Sequence, residues 1–264
     1  MTSSIQKISF IGSGNVATHL AQAFYKAGIQ IHQVYSMSCS NAEQLSSKIS
    51  AEYICDIERL DTNVDLIVFA VKDEVIKDLS EYVIRKNPLV KMVHTSGSIG
   101  LDVFEGALNA GIFYPLQSFS KSKEMDISKV PFLITTQNTL LRNDLIVLAE
   151  TISSKVYVYS EDQLKHLHIA AVLVNNFSNH LFALAQDYCN KHQLDYQLLL
   201  PLIQETIHKI EQFAPIDAQT GPARRGDYTI IENHLKTLSE EEESLHKIYK
   251  LFSDSILNMY QLKS

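Results

Sequence analysis

The densest chemical signal in the sequence is a glycine-rich turn near its beginning. Gly12, Gly14 and Ala17 follow the first apolar run in the spacing G-x-G-x-x-A. Gly12 suits a tight turn, Gly14 lets a phosphate approach the backbone, and Ala17 allows the next helix to pack closely on the strand. The backbone amides that open this helix, including those of Asn15 and Val16, would bind an anion. The pattern predicts a dinucleotide site, and the alternative is a strand-to-helix turn that binds nothing.

The residues about 20 positions after the glycines indicate which dinucleotide would bind. An acid at that distance would hydrogen-bond the ribose hydroxyls of NAD, but the segment 35–40 contains none. It carries Ser36 and Ser38, whose hydroxyls can hydrogen-bond a 2′-phosphate without charge repulsion. We therefore expect NADP, with NAD less favoured. S-adenosylmethionine is a further alternative, although its sites also tend to use an acid there.

Two later strands are expected to end at the same edge of the sheet. The continuously apolar run Leu66–Val71 is typical of a central parallel strand, and Asp73 follows it closely. In an open α/β sheet the carboxyl ends of the strands border the ligand crevice. Capping of the next helix is an equal alternative for Asp73. The second of these strands is Lys91–Thr95. The residues expected to line the dinucleotide are Ala70, Val71 and Asp73 from the first strand end and Thr95, Ser96 and Gly97 from the second.

A stripe of His and amide side chains recurs at helical spacing after residue 160. Its members are His168, Val172, Asn175, Asn179 and Gln186. The opposite face, which includes Leu173 and Phe177, is expected to be core. Because imidazole titrates near neutrality, His168 is our candidate general acid or base, with Asn175 as a catalytic orienting group and Asn179 as a substrate ligand. Buried hydrogen bonding to a partner helix is the alternative.

Two loops supply the remaining candidates. Gln117 and Ser118 lie in a polar turn after the predicted strand Gly111–Tyr114. We expect Gln117 to orient the reacting group and Ser118 to bind substrate. Arg225 lies in a segment rich in Gly and Pro and is a candidate for binding an anionic substrate, while Asp227 would cap the next helix. A plain connector is the alternative for each loop.

The elements that must position these residues change in type along the chain. Short apolar runs alternate with amphipathic stretches up to about Ser160, which is typical of a parallel sheet with crossover helices. The predicted strands are Lys7–Ile11, Gln30–Ser36, Leu66–Val71, Lys91–Thr95, Gly111–Tyr114, Phe132–Thr135 and Lys155–Tyr159. The predicted helices between them are Val16–Ala27, Asn41–Ser50 and Glu74–Ile84.

Strand signals stop after Ser160. The stretch Glu161–His192 has no Gly or Pro and predicts one long helix, whereas Ala214–Gly226 contains two of each and predicts a loop. Further helices are predicted at Tyr196–Gln212, Asp227–Thr237 and Ser239–Leu262, the last with Ser239 as its N-cap. The sequence therefore predicts an α/β fold: a Rossmann-type, mainly parallel sheet domain over residues 1–160 and an all-helical domain over residues 161–264.

Charge and composition narrow the possible partners. The net charge is −7 and the basic residues are scattered, so we expect no nucleic-acid partner. No apolar run approaches the length of a membrane span, and no secretion signal is visible, so we expect no membrane partner and a cytoplasmic location. The three cysteines lack metal-ligand spacing and predict reduced thiols without a metal site.

The order of these motifs resembles a known bacterial family. The segments GSGNVA, VDLIVFAVKD, HTSGS, YPLQSFS, HIAAVLVNNFSNH and TGPARRGD are typical of proteins in which a Rossmann-like domain precedes a helical domain of unknown function. These proteins are provisionally labelled NADP oxidoreductases. More distantly, the chain is similar to pyrroline-5-carboxylate reductase, prephenate dehydrogenase and the 6-phosphogluconate dehydrogenase-like enzymes.

The resemblance carries several implications. It covers nearly the whole chain, and it implies a homodimer formed through the helical domain. His168 resembles a His on the first long helix of the tyrosine-pathway dehydrogenases, although the Asp that follows it there is Ile169 here. We expect an NADP-dependent oxidoreductase that transfers a hydride between the nicotinamide and an unidentified small molecule in the interdomain cleft. A non-catalytic dinucleotide-binding protein that regulates or binds a partner is the alternative.

Overall fold

The computed structural model describes residues 4–261, and one eight-stranded sheet organises its first half. The strands are β1 Lys7–Ile11, β2 Gln30–Tyr35, β3 Glu52–Ile54, β4 Leu66–Phe69, β5 Met92–His94, β6 Ala110–Pro115, β7 Phe132–Thr135 and β8 Val156–Val158. Their order across the sheet is β3-β2-β1-β4-β5-β6-β7-β8. Only the β6–β7 pair is antiparallel in the described sheet. This arrangement confirms the predicted mainly parallel Rossmann-type sheet.

Helices cover both faces of the sheet. They are α1 Asn15–Lys26, α2 Cys39–Ser46, α3 Ile76–Lys86 and α4 Thr139–Glu150. Short 3₁₀ turns lie at Ile57–Arg59, Asp73–Val75, Leu101–Phe104 and Ile127–Lys129. Leu20 and Phe24 of α1 are fully buried in the core on one face, and Ile76 and Val83 of α3 are fully buried on the other. Both faces of the parallel strands are therefore apolar, which explains the continuous apolar run of β4.

The second half of the chain is helical, as predicted. Its helices are α5 Glu161–Ala171, α6 Ser178–Lys191, α7 Leu200–Gln212, α8 Pro215–Ala218, α9 Pro222–Arg225, α10 Tyr228–Glu241 and α11 Glu243–Gln261. A 3₁₀ turn, Tyr196–Leu199, precedes α7. The predicted loop Ala214–Gly226 was wrong in part, because α8 and α9 lie within it. Each begins with a proline in its first turn, where the missing amide hydrogen costs little.

The predicted long helix is interrupted by a wider turn. Val172–Phe177 forms a π-helix between α5 and α6. Its i→i+5 hydrogen bonds place more residues in each turn than the α-helical spacing assumed for the stripe. The regular spacing behind that stripe therefore does not continue through residues 172–177.

The predicted cap at Ser239 was also wrong. Ser239 lies inside α10, where its hydroxyl donates to the Lys236 carbonyl at 2.7 Å, and α11 begins at Glu243. Asp227 caps α10 as expected, since its carboxylate accepts from the Ile230 amide. The acidic run after Ser239 resembled a helix start, but the chain continues as helix through it.

The described chain forms two compact units. The first extends to Val174 and the second begins at Asn175. The first unit thus contains α5, whose Leu164 packs with Ile112 and Leu133 of the sheet. The domain boundary after Ser160 stays a prediction.

The cysteines differ from the sequence-based expectation. Cys39 and Cys55 form a disulfide with a Cα–Cα distance of 5.4 Å, and Cys189 is a buried free thiol. The expectation of three reduced thiols was therefore wrong, because α2 and β3 bring two distant sequence positions side by side.

A cytoplasmic location stays a prediction. Within residues 4–261 no helix has the length and apolar character of a membrane span.

The face opposite the stripe is not core in the single chain. Leu173 is 56% exposed and Phe177 is 53% exposed, so the predicted burial of both was wrong. Only Leu181 and Leu184 from that face are partly covered, and both line an apolar cavity of about 380 Å³ in the second unit.

Candidate active site

A cavity of about 860 Å³ opens at the carboxyl edge of the sheet. It lies beside β1 and β4, where the strand order reverses direction, which is the position at which open α/β sheets bind ligands. Nine of the predicted dinucleotide residues line it: Gly12, Gly14, Asn15, Val16, Ser36, Ala70, Val71, Asp73 and Thr95.

Gly12 is fixed by close approach of the backbone on both sides. Its amide donates to the Tyr35 carbonyl at 2.8 Å, and its φ is 118°. A Cβ at this position would lie 2.2 Å from the Ala70 carbonyl oxygen. Only glycine satisfies both conditions, so the turn joins β1, β2 and β4 at the cavity.

The start of α1 lacks a side-chain cap. Gly14 is the N-cap residue and has no side chain to accept from the first amides. These amides carry the partial positive charge of the helix end and border the cavity. A phosphate group is the kind of ligand that fits such a helix start.

Several lining residues were not predicted. They are Ser13, Tyr35, Met37, Asn41, Val75, Asp78, Leu79 and Lys121, while Lys72 lies in the segment 70–73 that was expected at the cavity. Most follow a strand end already identified, so extending each predicted segment by a few positions would have found them. Lys121 is different, because it comes from the connection between β6 and β7 and has no local sequence signal.

Four predicted dinucleotide residues lie outside the cavity lining. Ala17 is fully buried behind the turn, consistent with its role in helix packing. The Ser38 hydroxyl shares a hydrogen bond with the Ser40 hydroxyl at 3.2 Å. The Ser96 hydroxyl donates to the Asp73 carboxylate at 3.0 Å, which links the ends of β4 and β5. Gly97 is buried and lies against the side chains described next.

His168 meets two hydroxyl groups within the first unit. Its Nδ1 lies 3.2 Å from the Tyr114 hydroxyl, and its Nε2 lies 3.1 Å from the Ser98 hydroxyl. A Cβ on Gly97 would lie 2.7 Å from the Tyr114 ring and 2.8 Å from His168 Nδ1, so glycine allows this close packing. Gly97 is only two residues beyond Thr95 of the cavity wall. Tyr114 and His168 are therefore close enough to exchange a proton, and they lie near the cavity.

Tyr114 was missed as a site residue. It lies at the end of β6, 54 positions before His168, so no spacing pattern connects the two residues. Burial raises the pKa of the Tyr114 phenol, which keeps it protonated at neutral pH. A neutral imidazole donates through one ring nitrogen and accepts through the other, so His168 can serve both hydroxyls.

The remaining candidates occupy separate positions. The Gln117 side-chain oxygen accepts from the Ser118 amide at 2.8 Å, and both residues are exposed outside the cavity lining. Asn175, Asn179 and Arg225 belong to the second unit and are exposed there. The structure thus groups His168 with Tyr114 and Ser98, and it does not group Gln117 or Ser118 with them.

Comparison with protein families gives two adjacent matches. A Rossmann-like domain matches residues 2–117, and a domain of unknown function, DUF2520, matches residues 130–256. A solved structure from Bacteroides fragilis, described as a putative NADP oxidoreductase, is 39% identical. The match covers 96% of this chain and 98% of that chain with a TM-score of 0.89. The chain belongs to the DUF2520 family.

More distant structures share the fold of this DUF2520 protein. A protein from Thermotoga maritima is 21% identical over 97% of this chain and 99% of its own, with a TM-score of 0.73. An imine reductase from Myxococcus stipitatus, solved in complex with NADP+, is 16% identical over 97% and 93% of the two chains, with a TM-score of 0.63. No curated protein matches the chain. The family and fold implied by the motifs are confirmed.

Proposed function

We propose that this DUF2520 protein is an NADP-dependent oxidoreductase acting on a small molecule. The observation that carries the proposal is a cavity bordered by uncapped helix amides, with a hydrogen-bonded His168–Tyr114 pair beyond its Thr95 wall. The relative from Bacteroides fragilis and the imine reductase solved with NADP+ support the same cofactor class. A dinucleotide-binding protein without catalysis is the competing function.

The cavity residues fit the parts of a dinucleotide. The amides at the start of α1 would hold the pyrophosphate, and Gly14 leaves room for its approach. Ser36 lines the cavity at the end of β2, and the absence of an acid in segment 35–40 favours NADP over NAD. Thr95 and Ala70 would lie against the bound cofactor from β5 and β4.

The chain itself handles the proton. When bound, the nicotinamide supplies or accepts the hydride. In the reducing direction, the Tyr114 hydroxyl would give a proton to the substrate atom beside the carbon that receives the hydride. His168, at 3.2 Å, would then return a proton to the phenolate from Nδ1 while its Nε2 takes up a proton from solvent through the exposed Ser98 hydroxyl, which also fixes the ring orientation. We keep Gln117 and Asn175 as candidates for orienting the substrate, and Ser118, Asn179 and Arg225 as candidates for binding it.

The cofactor assignment is tested by calorimetric titration of the purified protein with NADPH and with NADH. We expect NADPH to bind at least about tenfold more tightly, since a charged hydrogen bond contributes about 1.5–3 kcal/mol. Equal affinities would remove the preference for NADP. Binding of neither dinucleotide would remove the oxidoreductase function.

The catalytic assignment is tested with Tyr114→Phe and His168→Asn in a screen of cyclic imines and ketones followed by NADPH absorbance. We expect each variant to lower kcat by about 10²- to 10⁴-fold, the usual contribution of a positioned acid or base. NADPH affinity should change less than about twofold. Tyr157→Phe is the matched control, because Tyr157 is exposed on β8 and stacks on Tyr159. Binding of NADPH without turnover of any compound would favour the non-catalytic function, and unchanged kcat in both variants would exclude the proton relay.

We also propose a homodimer. Large apolar side chains are exposed in the second unit, including Phe177, Leu198, Leu202 and Phe213. Exposed apolar surface of this kind is typical of protein interfaces. Light scattering at micromolar concentration should give twice the chain mass of 29.8 kDa, and a monomer would contradict the proposal.

A further inference from the structure

The cavity of about 860 Å³ that is proposed to hold NADP is called here the dinucleotide cavity. A second, strongly basic cavity adjoins it. It has a volume of about 380 Å³ and lies between α1, α2 and the connection that follows β6. Four lysines line it, Lys26, Lys48, Lys121 and Lys123, together with a single carboxylate, Glu124. Of these charged residues, only Lys121 also lines the dinucleotide cavity.

The position of Lys121 is fixed by contacts of its own segment with α1. The Lys121 amide donates to the Asn15 side-chain oxygen at 3.3 Å, and Asn15 is the first residue of α1. One residue earlier, the Ser120 carbonyl lies 2.9 Å from His19 Nε2. The Phe119 ring packs on His19 with 5.3 Å between centroids. The segment is therefore attached to the helix that follows the glycine turn.

The side chain of Lys121 is available for a ligand. Among the ion pairs of residues 4–261, none includes its Nζ. The polar side chains that line the dinucleotide cavity with it include Ser36 at the end of β2 and Asn41 in the first turn of α2, whereas the other lysine of the lining, Lys72, follows β4. The end of β2 is where Rossmann domains recognise the ribose 2′ position, through an acid for a hydroxyl or a cation for a phosphate.

We propose that Lys121 is the cation that recognises the 2′-phosphate of NADP, assisted by Ser36 and Asn41. The inference rests on the proposed cofactor and names the residue that selects it. The segment after β2 contains no Arg or Lys between residues 27 and 47, so the charge must come from elsewhere in the chain. A lysine suits the task because its ammonium group acts as a point charge toward phosphate.

The test compares NADPH and NADH binding to the full chain by calorimetry. Lys121→Ala should weaken NADPH binding about 10- to 100-fold, because it removes one charge-assisted hydrogen bond, and should change NADH binding less than about twofold. Lys121→Arg keeps the charge and should restore NADPH affinity to within about threefold. The control is Lys123→Ala, since Lys123 is exposed, lines only the basic cavity and should leave both affinities unchanged.

Salt dependence supplies an independent readout. The NADPH preference of the wild type should fall as salt rises, and that dependence should be smaller in Lys121→Ala. An equal loss of NADPH and NADH affinity in Lys121→Ala would assign the lysine to a phosphate common to both cofactors and overturn the proposal. Unchanged NADPH affinity would also overturn it while leaving the proposed function in place. Failure of the wild type to bind either dinucleotide would overturn both.

Discussion

His94 shows how a buried side chain supports the site without touching the cavity. Both ring nitrogens have backbone partners, the Ser96 amide at 3.3 Å from Nδ1 and the Gly100 carbonyl at 3.2 Å from Nε2. Burial lowers the pKa of His94 to about 4. The ring is therefore neutral in the folded chain and holds the bend that carries Gly97 and Ser98.

This shift predicts a pH dependence of stability. The unfolded chain binds a proton at His94 near pH 6.5, whereas the folded chain does not until about pH 4. The contribution of His94 is therefore fully present above pH 6.5 and is lost as pH falls from 6.5 to 4, on the order of 3 kcal/mol in total. We expect the free energy of unfolding in urea to fall more steeply over this range in the wild type than in His94→Gln. Parallel pH profiles for the two proteins would contradict the assignment.

The glycine turn could be predicted from sequence because each of its residues satisfies a constraint of the local backbone. Gly12 must adopt a positive φ beneath the Ala70 carbonyl, and Ala17 must fit between helix and strand. Neither Tyr114 nor Lys121 is required by the local backbone conformation. They reach the site only through strand order and a long connection, so sequence spacing could not reveal them.

The element that carries His168 is anchored at its first turn. Ser160 and Gln163 form a capping box at the start of α5, with each side chain bonded to the backbone of the other residue. Glu161, in the same turn, accepts from the Leu101 amide at 2.9 Å and so connects α5 to the segment after β5. The position of His168 therefore depends on the start of the helix as well as on its own contacts.

Removing this cap should destabilise the first unit. We expect Ser160→Ala to lower the free energy of unfolding by about 1 kcal/mol, the usual value of an N-cap hydrogen bond. Ser239→Ala is the matched control, because Ser239 is exposed inside α10, where alanine is the better helix former. It should leave stability unchanged or raise it by a few tenths of a kcal/mol. Chemical denaturation measures both, and a cost at Ser239 as large as that at Ser160 would count against the assigned helix bounds.

Most strands and helices were predicted, but some were missed. The helix α4 was not predicted, and β3 has three residues, two of them exposed, and gives no periodic signal. The π-helix at Val172–Phe177 has the composition of an ordinary helix, so its wider turn is invisible in sequence. Helices α8 and α9 were missed because each begins with a proline and α9 lies between Gly221 and Gly226, so their segment has the composition of a loop.

At the scale of the whole chain, one strand reversal explains how distant residues meet. β7 runs antiparallel to β6, so the connection between them does not need a crossover helix. Instead, its side chains Phe119, Met125 and Ile127 pack on the core beneath α1. This arrangement places Lys121 beside the glycine turn from more than 100 positions away.

The disulfide gives a prediction for the stability of the molecule. Cys39 and Cys55 are 16 positions apart, and closing a loop of that length restricts the unfolded chain by about 3 kcal/mol in the chain-entropy model. We expect a reductant to lower the Tm of the wild type measured by calorimetry. The same reductant should not change the Tm of the Cys39→Ser/Cys55→Ser double variant. A wild-type Tm insensitive to reductant would contradict a stabilising role for the bridge.

The bridge also leaves Cys189 as the single free thiol. Cys189 is only 7% exposed and lies in the compact unit that begins at Asn175. A thiol reagent can therefore reach it only when that unit opens locally. The rate at which the oxidised protein reacts with such a reagent therefore measures how often the helical unit opens, without any engineered label.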